Sequence, residues 1–204
     1  MASPKRALQF YAADQKQFSE QQRISYAHMT VPRKLLSGAS LAAISEHYLA
    51  ILQQNLAALN LHSERWLEIP DLYAFVQDQI TRMTFATVMG SEMLEHYPDI
   101  VADFWGFDRN IENFTGGAPR FMIPSAFAAR DRWLKNLKEW DRIELKKKDA
   151  VDDDLEWTKW GSNFIRTRKA TFLNMPAMDE DARASESVAI LLGYVYCFLL
   201  FDHS

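Results

Sequence analysis

Apolar residues recur every three or four positions along most of the chain, which is the spacing of a helix face and not the alternation of a strand. This pattern predicts helices over residues 32–59, 71–89, 99–114, 125–148, 156–172 and 179–196. Pro32 suits a first helical turn, Asp71 is a candidate N-cap, and Gly90 stands where a helix-ending glycine belongs. With no internal repeat and no convincing strand, the sequence predicts an all-α fold.

Two stretches are predicted to interrupt these helices. Gly116-Gly117 lacks the strand, the helix and the lysine that a phosphate loop requires, so it is interpreted as a bent connection ahead of Pro119. The lysines 146–148 and the acidic residues at 149 and 152–154 are interpreted as a solvated loop.

Composition limits the class of protein. A length of 204 residues with 48% hydrophobic residues is enough for one sizeable core, and the net charge of -4 gives no reason to expect nucleic acid as a partner. The first ten residues contain Lys5 and Arg6 without a following apolar run, so we predict neither a signal peptide nor a membrane anchor. The longest apolar run, 188–201, falls short of the roughly 18 residues of a candidate spanning helix and is interpreted as a buried helix.

Motifs for catalysis or metal binding are scarce in the sequence. No two of the five histidines are three or four residues apart, so a helical metal-ligand pair is not predicted. Cys197 is the only cysteine, which excludes an intrachain disulfide and a zinc site built on cysteine pairs. Arg166, Arg168 and Lys169 are interpreted as a solvated helix face with aromatic residues buried between them. The sequence therefore predicts no catalytic residue and no metal ligand.

The segment 31–40, VPRKLLSGAS, resembles the C helix of cytochromes P-450, which are haem-thiolate monooxygenases. In that family an arginine before Leu-Leu-Ser reaches a haem propionate, and Arg33 occupies its place, with Lys34 as a second, weaker candidate. A buried propionate favours a permanently charged, forked donor such as arginine. The family usually has tryptophan four residues earlier, where this chain has Met29. An ordinary surface arginine at a helix start is the other interpretation of Arg33.

The order of segments along the chain extends the resemblance. Residues 71–90 are similar to the E helix, and FMIPS at 121–125 leads into a long helix similar to the F to G region. RASESVAILL at 183–192 resembles the start of the I helix. The pattern is most similar to fungal members akin to the sterol 7α-hydroxylase and prostacyclin synthase types. The sequence contains no Ala/Gly-Gly-x-Asp/Glu-Thr, no Glu-x-x-Arg and no Phe-x-x-Gly-x-x-x-Cys-x-Gly, and Cys197 lacks flanking glycines, so it is not expected to bind iron.

The resemblance implies one partial P-450 domain over residues 1–204, truncated before the K helix and the haem-binding loop. The intact parent would bind haem and use dioxygen and a reductase to hydroxylate an apolar, sterol-like substrate. Pocket-facing residues would lie near 114–121 and 189–192. This chain alone is expected to be inactive and not to retain haem. Family members of this type are usually proteins of the endoplasmic reticulum membrane, but with no predicted anchor the location is left open.

A different class of function remains open on the sequence alone. The chain would then be a catalytically silent helical protein that binds a partner or a lipid through its apolar segment 188–201. As a fragment, the chain would expose that segment and self-associate, and deletion of 188–204 would improve its behaviour. If the segment instead forms the core of a self-sufficient domain, the deletion would abolish cooperative melting.

Overall fold

The computed structural model describes residue 19 and residues 22–59, 68–147, 155–176 and 178–200, and the side chains of all of these except 145–147, 192 and 194–200. A π-helical turn, Tyr26–Thr30, continues directly into the first α-helix. The elements that follow it are α1 (Val31–Leu35), α2 (Gly38–Ala58), α3 (Leu72–Met89), α4 (Ser91–His96), α5 (Ile100–Asp108), α6 (Ile111–Thr115), α7 (Pro124–Lys147), β1 (Trp157–Thr158), β2 (Gly161–Ser162), α8 (Asn163–Leu173) and α9 (Glu180–Leu200). The all-α prediction is confirmed.

The clearest helix boundary signals in the sequence are also confirmed. The Asp71 carboxylate accepts a hydrogen bond from the Ala74 amide at 2.9 Å and so caps the start of α3. Gly90 ends that helix with φ of 93°, a conformation that L side chains rarely adopt. At the start of α9, the Asp179 carboxylate accepts from the Ala182 amide at 2.8 Å.

The prediction of one helix over 32–59 is wrong. The chain leaves helical geometry at Leu36 and Ser37, and the segments on either side of this break meet at 77°. The Ser37 hydroxyl donates to the Arg33 carbonyl at 2.7 Å, and Gly38 follows with φ of 56°. A serine that binds backbone groups competes with the helical hydrogen bonds, which is the physical reason for the break.

The predicted helix over 99–114 is also divided, into α5 and α6. The Asn110 side chain donates to the Gly106 carbonyl at 3.1 Å, and this satisfies an acceptor at the end of α5. The last predicted helix but one begins later than expected, because residues 157–162 form a hairpin in which Trp157 pairs with Ser162 and Thr158 with Gly161. The expectation of no strand is therefore corrected: two-residue strands are too short to give a pattern of alternation.

The main core forms around α7, which lies along α5 and also packs against α9. Trp133, Leu137 and Trp140 present one buried face of α7 at spacings of four and three residues. They pack with Phe104 of α5 and with Leu191 of α9, both fully buried. A second cluster contains Val31 and Leu35 of α1, Ile44 of α2 and Phe164 of α8. This cluster fixes the segment that carries Arg33.

Within the described part of the chain, no single helix has both the length and the apolar composition to cross a bilayer. The stretches Tyr26–Leu35 and Gly38–Ala58 meet that criterion only when they are taken together across their 77° bend. The predicted loop at 148–154 lies outside the described residues.

Candidate functional site

Arg33 and Lys34 lie side by side in the last turn of α1, and both side chains are exposed. Among the described residues, neither forms an ion pair with a carboxylate within 4.0 Å. Most of the other arginines in the described ranges do have such a partner or are bonded to backbone carbonyls. The structure thus presents two adjacent cations whose charges are open to an external anion.

The segment before Arg33 is held in place by a buried ionic group. Arg168 of α8 is only 3% exposed, and its Nη1 donates to the Ala27 carbonyl of the π-helical turn at 2.9 Å. Its Nη2 donates to Glu186 of α9 at 2.8 Å, and the ring of His28 meets the same carboxylate at 2.8 Å. The π-helical turn and α9 are therefore both bonded to Arg168 of α8. The position of α1 is thus fixed by hydrogen bonds and an ion pair as well as by apolar packing.

The two stretches predicted to face a substrate pocket have different surroundings. Phe114 packs on Phe107 and Phe127, with ring centroids 5.0 and 4.9 Å apart, whereas Phe121 is 83% exposed. Leu191 belongs to the main core, and Ala189 is exposed. None of the described side chains in either stretch lines the cavity described next.

A cavity of about 280 Å³ lies between the second half of α7, the hairpin, α8 and the start of α9. Its apolar wall includes Trp160, which stacks on Trp140 at 5.1 Å, and Phe172, which is 2% exposed. The residues that line it are Asp141, Arg142, Glu144, Trp160, Asn163, Arg166, Thr167, Lys169, Ala170, Phe172, Leu173, Glu180 and Arg183. Seven of these thirteen residues are charged, so the cavity has the concave form of a small-molecule site but a more strongly charged lining than is usual.

Charged side chains in this cavity are strongly coupled to one another. The Lys169 ammonium lies 2.8 Å from the Asp141 carboxylate and 2.5 Å from that of Glu144. Burial alone would lower the pKa of Lys169, but the two carboxylates outweigh it and raise that pKa above its usual range. Glu180 accepts two hydrogen bonds from Arg142, at 2.6 and 2.7 Å, and these lower the pKa of Glu180.

Comparison with known proteins finds two similar relatives. The chain is 29% identical over 182 residues to the cytochrome P-450 monooxygenase fsoE of Humicola fuscoatra, a match that covers 86% of this chain and 32% of that protein. It is 27% identical over 163 residues to the cytochrome P-450 monooxygenase efuG of Hormonema carpetanum, covering 78% of this chain and 29% of that protein. The chain is thus similar to cytochrome P-450 monooxygenases over most of its length, in agreement with the resemblance seen in its sequence.

The chain spans about a third of the length of the curated relatives it matches. No family model matches the sequence, and no solved structure matches it. Both relatives are named as monooxygenases, which is the class of protein that the sequence resemblance predicted.

The described residues offer suitable partners for only one part of a haem, its propionate groups. Two exposed cations on α1 suit the anionic propionates. Met29, 54% exposed, stands where the P-450 family usually has tryptophan, and its side chain offers no N–H donor. In the described ranges no group of three His, Cys, Asp or Glu side chains is arranged to hold a metal, and the Cys197 side chain lies outside them.

Sequence reasoning missed the buried charges. Arg168 and Lys169 were expected on a solvated face, but their side chains are only 4% and 12% exposed. For Arg168 a signal was present, because it lies four residues from both Phe164 and Phe172, which are themselves buried. For Lys169 no such signal exists, since its partners Asp141 and Glu144 belong to another helix.

Proposed function

We propose that this chain contributes the propionate-binding segment of a haem monooxygenase whose complete form hydroxylates an apolar, sterol-like substrate with dioxygen and a reductase. The observation that carries the proposal is the similarity to two cytochrome P-450 monooxygenases over most of this chain. The high aromatic content, 13% of residues, agrees with an enzyme built round an apolar pocket. The haem, when bound, supplies the oxidative chemistry, and the protein positions it.

Arg33 is proposed as the principal cofactor contact and Lys34 as the secondary one. Support comes from their exposure on a short helix that directly follows the π-helical turn held by Arg168, and from the forked guanidinium, which suits a carboxylate better than an ammonium does. A surface arginine with no role would need no such support beneath it.

The chain by itself is proposed to be inactive. A P-450 iron needs a cysteine thiolate held in a shaped, hydrogen-bonded loop. Cys197 stands between Tyr196 and Phe198 without neighbouring glycines, and apolar surroundings keep a thiol protonated. Purified chain mixed with haem should give no carbon monoxide complex with the spectrum of thiolate-ligated haem. Such a spectrum, lost in Cys197→Ser, would contradict this part of the proposal.

The coding sequence on either side of this stretch tests the parent enzyme directly. A transcript that continues in frame into Glu-x-x-Arg and a glycine-flanked cysteine would support it. A verified transcript with neither motif would overturn it.

Substitution of Arg33 tests the assigned contact in that longer protein. Arg33→Ala should weaken haem retention, because a propionate loses a charge-assisted partner worth roughly 1.5–3 kcal/mol. Lys34→Ala should have a smaller effect. Arg109→Ala is the matched control, since Arg109 is also an exposed arginine next to a helix end. Haem content measured by absorbance and found equal in wild type and Arg33→Ala would refute the assignment.

The alternative of a silent protein that binds a partner through its apolar last helix receives less support. Ala184 and Leu191 of that helix are fully buried in the main core. Of the described side chains in the apolar segment, Val188, Ile190 and Leu191 are therefore engaged in internal packing, and Ala189 is exposed.

A further inference from the structure

Two ionic clusters of opposite net charge line the cavity between α7, α8 and α9. The first contains the Lys169 ammonium and the carboxylates of Asp141 and Glu144, so its net charge is one negative unit. Lys169 is only 12% exposed and the Asp141 side chain only 14%. A charge imbalance at such depth is unfavourable unless a cation approaches it.

The second cluster contains Glu180 with Arg142 and Arg183, and its net charge is one positive unit. Arg142 donates twice to Glu180, and the charge of Arg183 adds to the effect of those bonds on that carboxylate. Arg183 Nη1 donates to the Met178 carbonyl at 2.7 Å, so its charge is not neutralised by that contact. Arg166 adds a further positive charge to the lining, with its guanidinium bonded to the carbonyls of Leu155 and Gly161.

Apolar side chains complete the cavity beside these clusters. The rings of Trp160 and Phe172 are buried, and Ala170 leaves room beside them because its side chain is a single methyl group. A volume of about 280 Å³ is close to the lower end of ligand pockets, which run from roughly 300 to 1,000 Å³. The space therefore suits a small molecule and not a lipid or a peptide chain.

We propose that this cavity binds a small zwitterion with an apolar body, of the chemical class of an aromatic amino acid. The ammonium group would meet Asp141 and Glu144, the carboxylate would meet Arg183, and the ring would pack against Ala170 and Leu173, which are the accessible apolar side chains of the lining. A simple amine leaves the positive cluster without a counter-ion, and a simple acid does the same to the negative cluster. A molecule with both charges offers a counter-ion to each cluster. The site shares no residue with Arg33 and Lys34, so the proposal does not depend on the haem assignment.

Calorimetric titration of the purified chain with three matched compounds tests the proposal. These are L-phenylalanine, phenethylamine, which lacks the carboxylate, and 3-phenylpropionate, which lacks the ammonium. We expect L-phenylalanine to bind about tenfold more tightly than either, the scale of one charge-assisted hydrogen bond. Equal binding of all three, or no binding of L-phenylalanine, overturns the proposal.

Substitutions then locate the binding. Ala170→Phe should fill the cavity and abolish binding, whereas Ala128→Phe, at a half-buried alanine near the other end of α7, should preserve it. Arg183→Gln should remove the preference for L-phenylalanine over phenethylamine, and Glu144→Gln its preference over 3-phenylpropionate. Lys135→Gln, on the exposed face of α7, is the charge control. Circular dichroism checks that each variant is folded. Binding that survives Ala170→Phe in a folded variant places the ligand elsewhere and refutes the site.

Discussion

Gly90 occupies a position at which no side chain has room. It ends α3 with φ of 93°, and a Cβ atom built there would lie 2.1 Å from the Lys159 carbonyl oxygen of the hairpin turn. The glycine thus allows the end of α3 and the hairpin to approach backbone to backbone. Gly193 differs in both respects, because it lies within α9, has no positive φ, and would place a Cβ in open space.

These two glycines give a matched prediction. Gly90→Ala should lower the free energy of unfolding by about 3 kcal/mol or more, from backbone strain together with the clash. Gly193→Ala should raise it by about 0.5–1 kcal/mol, because alanine loses less conformational entropy in a helix. Urea denaturation followed by circular dichroism measures both changes. A loss of stability in Gly193→Ala as large as in Gly90→Ala would contradict this account.

Glu180 gives the folded chain an acid-sensitive contribution to stability. The hydrogen bonds from Arg142 lower the pKa of Glu180 in the folded state. Its contribution is therefore fully present above the unfolded pKa of about 4.3 and is lost as the pH falls through the lower folded-state pKa. Glu180→Gln should lower stability at pH 7 and reduce its decline between pH 7 and acid. Glu95→Gln, at an exposed glutamate of α4, should leave the profile unchanged, as urea melts at several pH values would show.

At the residue scale, what the sequence could reveal depended on whether the relevant partner was near in the chain. Asp71 caps an amide three residues away, so the N-cap was predictable. Lys169 is buried against Asp141 and Glu144, which are more than twenty residues away in the sequence. No local sequence pattern predicts these partners. Arg33 and Lys34 were identified by resemblance to a family motif, since nothing in their immediate spacing distinguishes them from other surface cations.

At the scale of elements, Arg168 joins the π-helical turn to α8 and α9. Its guanidinium is nearly buried, donates to the Ala27 carbonyl and Glu186, and lies 4.7 Å from the centroid of the Phe172 ring. A π-helical turn is rare and is often found beside functional positions. Here the π-helical turn runs directly into α1. The hydrogen bond from Arg168 to the Ala27 carbonyl therefore also helps to orient α1 and the side chain of Arg33.

Replacement of Arg168 should therefore destabilise the folded chain. Arg168→Met should lower the free energy of unfolding by about 3–5 kcal/mol, because Glu186 loses its buried partner. Arg82→Met is the control: Arg82 pairs with Asp78 on the surface of α3, and such pairs contribute about 0–1 kcal/mol. The double variant Arg168→Met with Glu186→Gln should recover part of the loss. Equal losses of stability in Arg168→Met and Arg82→Met would show that the buried ion pair contributes no more than the exposed one.

Whole helices were more predictable than their interruptions. A long amphipathic segment such as α7 repeats its signal over six turns, whereas the break at Ser37 depends on one hydroxyl and one carbonyl. The hairpin rests on two paired residues in each strand. Its stability comes from contacts with α3, including the Trp157 indole, which donates to the Ala86 carbonyl at 3.4 Å. Such tertiary contacts leave no periodic trace in the sequence.

At the scale of the whole molecule, α9 is part of the core and not an appendage. Leu191 is 0% exposed within the main cluster, Val188 packs against that cluster, and Ile190 packs against the second. The sequence alone left two outcomes open, an exposed segment whose deletion would improve behaviour and a segment that forms the core of a self-sufficient domain. The described side chains of this helix favour the second, because they pack against both clusters.

Deletion of residues 188–204 should consequently abolish cooperative unfolding. It removes Leu191, and truncation of a single buried leucine costs about 2–5 kcal/mol, a large part of the 5–15 kcal/mol typical of a folded domain. Leu191→Ala should show an intermediate loss, and Ala189→Ser, at an exposed position of the same helix, should have little effect. Thermal melts by circular dichroism and size-exclusion chromatography measure the outcome. A deleted chain that melts as sharply as the parent and associates less would mean that residues 188–204 lie outside the cooperative core.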